Sequence, residues 1–340
     1  MDVLTQGIIG AAVAQSVSNK HEMRKAAIVG FLAGLAADAD VLIRSSNDPM
    51  LVLEYHRHFS HSLIFIPIAA IIVSILLWPF FRKTLSFKRI YFYSFAGTLL
   101  SGFVDACTSY GTHLLWPFIN ERIAWHIIAI IDPIFTIALI IGVVYALIKL
   151  TPVSCRFALI FCGGYLLLGY FQLQRAEIIM HELAEKRGHV VERFMVKPTI
   201  GNLVLWRSIY LSHDEFYIDA IRVGIENKIY EGEAIKQFET SSLPEKIDKN
   251  TTLYNDIKRF QFFSDNFVIW HPDKLNALGD VRYAMSPTSV IPLWGIELNY
   301  AEPDKHVKYE FYREIDDKKR QAFVSMLFGA DILPFDEIKR

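Results

Sequence analysis

The chain has 340 residues, 52% of them hydrophobic and 21% charged, with a formal net charge of -1. So balanced a charge leaves no electrostatic footprint for nucleic acid and excludes that class of partner. The three cysteines, Cys107, Cys155 and Cys162, are odd in number and lie in or beside apolar segments, so no disulfide framework is implied.

The average conceals a division near residue 174, apolar before it and soluble in character after it. Apolar segments run at about 4–17, 26–43, 62–81, 90–104, 126–148 and 157–173. The third, about twenty residues at roughly 1.5 Å rise each, matches a hydrocarbon core of about 30 Å. The others are shorter, and 26–43 contains Asp38 and Asp40, so some are expected to be interfacial or half-buried. An α-helical membrane domain of five to six apolar helices is therefore expected over 1–174. The amino terminus lacks a Lys/Arg-rich n-region, so Met1 to Val17 is expected to stay in the mature chain.

A charged helical continuation, Gln174 to Arg187, ends at Gly188, the residue type favoured just past a helix end. Strand-like stretches follow at about 190–197, 203–211, 215–223, 267–270, 279–285 and 293–299, several alternating as Leu203, Leu205, Arg207 and Ile209 do. With a helix near 316–328, residues 175–340 read as a small α+β domain whose Trp206, Trp270 and Trp294 belong to its core. No internal repeat, nucleotide-binding glycine motif or nucleophile elbow occurs.

Lys and Arg accumulate in cytoplasmic loops. Lys20, Arg24, Lys25, Arg82, Lys83, Lys88, Arg89, Lys149 and Arg156 lie in alternate loops, against Arg44, Arg57 and Arg122 in the opposite set. This places 18–25, 81–89 and 149–156 inside a bacterial cytoplasmic membrane and the soluble domain outside. Asp38, Asp40, His56, His61, Asp105 and Asp132 then converge on the outer face, where each is costly unless paired, hydrated or metal-bound.

The densest feature is His56-Arg57-His58-Phe59-Ser60-His61-Ser62, three imidazoles in six residues. Such clusters bind metal or move protons. On a regular helix His58 and His61 share a face and His56 does not. A turn through 56–60, with Ser60 capping the next helix, would instead fold His56 back toward His61. Asp132 before Pro133 also fits a helix cap, Asp38 and Asp40 fit a solvated helix end, and Asp105 shares a helical face with Thr108 and Ser109.

These motifs resemble the YdjM-like family of inner-membrane-associated metal-dependent hydrolases. The matching segments are Asp2-Val3-Leu4-Thr5-Gln6, Ala37-Asp38-Ala39-Asp40, His56 to Ser62, Asp105 to Thr112 followed by Trp116-Pro117-Phe118, and Ile131-Asp132-Pro133. The resemblance covers roughly residues 1–175. It implies His56 and His61, with Asp38, Asp40 and Asp105, as metal ligands, because His58 occupies the family's Gly position. Asp132 becomes the remaining carboxylate, a general base or a group that orients a ligand, and Arg57 a group that holds a phosphate or carboxylate or else snorkels to headgroups. Ala37, Ser60 and Ser101 depart from the pattern, Ser101 standing where many members carry His.

Two imidazoles with carboxylates suit Zn²⁺ or Mn²⁺ better than Mg²⁺. A divalent ion so held activates water against an ester or phosphoester. The depth of the cluster suggests a lipid-linked substrate drawn from the bilayer. The rival expectation is a non-catalytic membrane protein with a structural or relict metal site and a partner-binding outer domain.

Overall fold

A helix that is apolar on every side must pack against protein or lipid all round, and in this chain both solutions occur. The computed structural model describes residues 1–244, 247–312 and 317–332. The chain divides into two units, Met1–Ile43, Tyr55–Phe171 and Ile200–Asn202 in one, and Arg44–Glu54, Gln172–Thr199 and Leu203–Arg340 in the other.

In the first unit α1 (Val3–Ser16) starts at Asp2, whose carboxylate accepts from Thr5 N at 3.1 Å. It is buried along most of its length, packed against α2 (Met23–Gly34) and against Ile90, Tyr93 and Ala96 of α5 (Phe87–Thr98). Close approach needs small residues, as in membrane helix pairs. A Cβ on Gly30 would lie 2.4 Å from Gly10 O. A turn of 3₁₀ helix, Ala37–Leu42, carries Asp38 and Asp40, and the short α3 (Leu51–Tyr55) precedes the histidines. Two further 3₁₀ turns, Phe59–His61 and Leu63–Phe65, lead into α4 (Ile66–Phe81). After α5 come α6 (Ser101–Ala106), α7 (Pro133–Lys149) and α8 (Val153–Lys186), the last continuing into the second unit.

Of the five to six apolar helices expected, two among the described residues are long and apolar enough to cross a bilayer. They are Leu63–Phe81, 19 residues with mean hydropathy 2.6, and Val153–Lys186, 34 residues with 1.5. Of the remainder, α1 has 14 residues and α7 has 17, short of a core of about 30 Å at roughly 1.5 Å per residue. α1 is buried over most of its length, whereas α7 buries Phe135, Leu139 and Val143 and exposes Ile134, Ile137, Ile141 and Ile148.

The second unit holds two antiparallel four-stranded meanders, and is thus richer in β structure than expected. The first is β1 (Arg193–Pro198), β2 (Leu205–Ser212), β3 (Glu215–Arg222) and β4 (Lys228–Lys236); the second is β5 (Val268–Trp270), β6 (Ala277–Asp280), β7 (Trp294–Glu297) and β8 (Lys308–Phe311). Ile209, Phe216 and Ile218 meet Phe267, Ile269 and Val281 in one core; α9 (Thr252–Phe263) packs Ile257 and Phe260 on Leu278 and Ile296 in another. Met50 and Leu53 join that second core. The closing α10 (Asp317–Phe328) lays Met326 on Leu205 and Tyr230; residue 316 of the expected helix lies outside the described residues. Trp206 is fully buried, whereas Trp270 and Trp294 are partly buried at the edge of the core. Gly188, at φ +72°, follows the end of α8 as expected.

Candidate metal centre

The backbone reverses at Arg57, whose φ of +59° breaks any helix through the histidines. Thr112 Oγ1 and His113 N both donate to Arg57 O, at 3.0 and 3.1 Å, and hold the turn. This geometry separates the three imidazoles. His58 packs tilted against His113 and edge-on against Trp116, at 4.4 and 5.8 Å between ring centroids. His56 and His61 both turn to Asp40, with Nδ1 atoms 3.0 Å from Oδ1 and 3.3 Å from Oδ2. Ser60 does not cap α4, which begins only at Ile66. Its hydroxyl donates to Asp40 Oδ2 at 2.8 Å and lies 3.0 Å from His61 Nδ1. Arg57 N completes the set on Asp40, donating at 2.7 Å.

Held at Nδ1, the His61 ring aims Nε2 at two other carboxylates, 2.9 Å from Asp105 Oδ2 and 3.4 Å from Asp38 Oδ1. Asp38, His61 and Asp105 offer ligand atoms that all lie within 4.8 Å of one another, and all three residues are buried. His61 Nε2 and Asp105 Oδ2 face each other at 2.9 Å, and Asp38 Oδ2 has no hydrogen-bond partner among the described residues. Buried polar atoms without partners cost about 1–3 kcal/mol each. Together the three residues offer one imidazole and two carboxylates, a donor set that suits a divalent cation. The residues therefore fit a metal.

Asp105 is also the anchor for positive charge. Arg57 Nη1 lies 3.3 Å from its Oδ1, the Met1 amino group binds the same oxygen, and Arg57 further donates to Thr108 Oγ1 at 3.1 Å and Met1 O at 3.0 Å. Arg57 is 3% exposed. Burial alone would depress His61, but the carboxylates of Asp105, Asp38 and Asp40 outweigh it and raise its pKa to about 10 without metal. Gly102 is indispensable here, since a Cβ would lie 2.1 Å from His61 O.

Asp132 stands outside this group. It caps α7, accepting from Phe135 N at 3.1 Å, and takes a hydrogen bond from Tyr165 at 3.0 Å. Ser101 opens α6, with a buried hydroxyl that has no hydrogen-bond partner. Thr108 and His113, which hold Arg57 and His58, were not singled out as functional from the sequence; the only signal for them was their place within or just after the Asp105–Thr112 segment. In the second unit Asp48, Asp256 and His306 also cluster, but Arg259 bridges them, with Nη2 3.0 Å from Asp48 and Nη1 2.8 Å from Asp256.

No solved structure matches the chain. It is 24% identical over 226 residues to YfhP, an uncharacterized protein of Bacillus subtilis (strain 168), an alignment covering 64% of this chain and 67% of that one. The profile of the YdjM inner membrane protein family matches residues 1–176, the part that carries every residue of the centre. With more than half of its length so matched, the chain belongs to the YdjM inner membrane protein family.

Proposed function

We propose that the first unit is a membrane-embedded metal-dependent hydrolase of an ester or phosphoester. The observation that carries this reading is the grouping, within 4.8 Å of one another, of buried ligand atoms from Asp38, His61 and Asp105, supplied by three separate segments. A borderline ion such as Zn²⁺ or Mn²⁺ suits this mixed donor set better than Mg²⁺. Bound there, it supplies Lewis acidity, lowering the pKa of water toward about 7 and polarising the scissile group.

The protein's own groups do the rest. Asp40 and Ser60 fix the His61 ring through Nδ1, the pattern that orients imidazole ligands in metal sites. Arg57 offsets the charge of Asp105 from the Oδ1 side, and Asp105 would be one of the residues that hold the ion. His56, its ring 30% exposed and bonded to Asp40, links the site to solvent. Hydrolysis adds water across the C–O or P–O bond, the hydroxyl going to carbon or phosphorus and the proton to the leaving oxygen. Asp132, engaged by Phe135 N and Tyr165, sets the start of α7 in this reading. The basic loops 81–89 and 149–156 favour an outer location for the soluble domain.

The rival reading, a polar core without catalysis, draws on the two cations already at Asp105. Hydrolysis of p-nitrophenyl esters and of bis-p-nitrophenyl phosphate by purified protein separates the two. Turnover that is abolished by chelation, restored by Zn²⁺ or Mn²⁺, and lost in Asp105→Asn supports the hydrolase. Chelation-insensitive turnover, or none with either substrate class in metal-loaded protein, favours the rival.

A further inference from the structure

Beside the metal centre the first unit carries a cleft of about 220 Å³. Ile43, Phe59, Phe65, Ala69 and Ile72 give it an apolar lining, and Asp40 and Ser60 also belong to its walls. Ser60 donates to Asp40 at 2.8 Å and reaches His61 Nδ1 at 3.0 Å, so cleft and centre share a wall.

Three features say what fits. The volume is below the roughly 300–1,000 Å³ of sites that enclose a whole drug-sized molecule, yet it can accept a length of unbranched chain. The lining is aliphatic and aromatic apart from the two residues shared with the centre, so it selects for apolar contact. The wall formed by α4 is continuous with a surface suited to hydrocarbon: Ile72 lines the cleft and is itself 47% exposed, and the same helix exposes Ile68, Ile71, Ile75, Leu76 and Phe80. This helix lies in the more apolar of the two candidate spans. An alkyl chain already in a bilayer can enter along α4 without crossing water, whereas a polar solute would have to shed its hydration to gain nothing from the walls.

We infer that the cleft holds the alkyl chain of a membrane lipid, so that the ester or phosphoester of the same molecule is presented to Asp38, His61 and Asp105. The presentation step rests on the hydrolase reading; occupancy of the cleft does not. Lipid selection then resides in Phe59, Phe65 and Ala69, and chemistry in the carboxylates and imidazole.

The test uses full-length protein in phosphatidylglycerol vesicles doped with phosphatidylglycerol bearing a diazirine on one acyl chain. After irradiation, labelled positions are mapped by mass spectrometry, and metal content is measured on the same preparations. Label is expected on Ile43 and Phe59 in addition to the exposed side of α4. Ala39→Phe, at an exposed position beside Asp40, and Ala69→Trp, in the wall, should each reduce label on Ile43 and Phe59 several-fold while label on Phe80 is unchanged. Thermal melting confirms that the variants fold, and Ala39→Phe, being at the surface, keeps the test open if Ala69→Trp does not. Absence of label at Ile43 and Phe59 in the wild type, or label there that Ala39→Phe leaves intact, overturns the inference. Blockable cleft labelling in protein that binds no metal would sustain the lipid site and defeat the hydrolase reading. Metal-loaded protein whose cleft stays unlabelled would do the reverse.

Discussion

Asp40→Asn probes the centre with the least change of shape. In the native protein Asp40 Oδ2 accepts from Arg57 N at 2.7 Å and Ser60 Oγ at 2.8 Å, while Oδ1 lies 3.0 Å from His56 Nδ1. An asparagine keeps its carbonyl toward the two donors and presents its amide to His56, which can accept in its neutral tautomer. The fold should therefore survive. What is lost is the negative charge behind His61, which holds the ring and raises the basicity of Nε2. Removal of such a supporting carboxylate typically weakens metal binding 10–100-fold, about 1.4–2.8 kcal/mol. Competition with a calibrated chelator measures the change, with circular dichroism as the check on folding. His58→Ala, whose ring packs against His113 and Trp116, should leave affinity near wild type. Equal affinities for Asp40→Asn and wild type, or equal losses for Asp40→Asn and His58→Ala, would refute the reasoning.

Three further outcomes are expected. His61 has a metal-free folded pKa of about 10 against an ordinary 6.5, so its stabilisation is complete below about pH 6.5 and is lost as pH rises through about 10; the melting temperature of chelated protein should fall across that window, and metal should bind more tightly as pH rises within it, a trend that a flat titration would exclude. Gly102→Ala forces a methyl to 2.1 Å from His61 O and should destabilise the protein by about 1–3 kcal/mol and weaken metal binding, both visible in metal-dependent melting curves; an unchanged curve would contradict the packing described. Reporter fusions near residue 85 and after residue 190 should score as cytoplasmic and extracytoplasmic respectively, and a cytoplasmic signal after 190 would reverse the orientation inferred from the basic loops.

Much of the centre was legible in the chain because its residues are dense and chemically unusual. Three histidines within six residues, Asp38 with Asp40, and Asp105 ahead of Thr108 could be picked out by eye. Their division of labour could not. Whether His56 or His58 joins His61 depends on the positive φ at Arg57 and on carbonyl contacts from Thr112 and His113, residues more than fifty positions away. Asp132 gave a capping signal with Pro133, and capping is where its carboxylate is engaged.

How many of the apolar helices cross the membrane was not legible in the sequence for a physical reason: a helix such as α1, buried in protein on nearly every side, is apolar just as one in lipid is, and its length of 14 residues sets it apart. In the second unit β4 escaped notice because Lys228, Glu231, Glu233 and Lys236 give an edge strand a mostly polar pattern, and β8 because it is a short edge strand of mixed character. Nothing in residues 44–54 foretells that Met50 and Leu53 pack with Phe260 and Ile296, since that contact spans some two hundred residues.

The central claim is that Asp38, His61 and Asp105 hold a divalent ion, and metal analysis of protein purified without chelators tests it most directly. Wild type should carry stoichiometric zinc or manganese, His61→Ala and Asp105→Asn should carry none, and His58→Ala should match wild type. Folded wild-type protein without a bound divalent metal, even after incubation with Zn²⁺ or Mn²⁺, would contradict it.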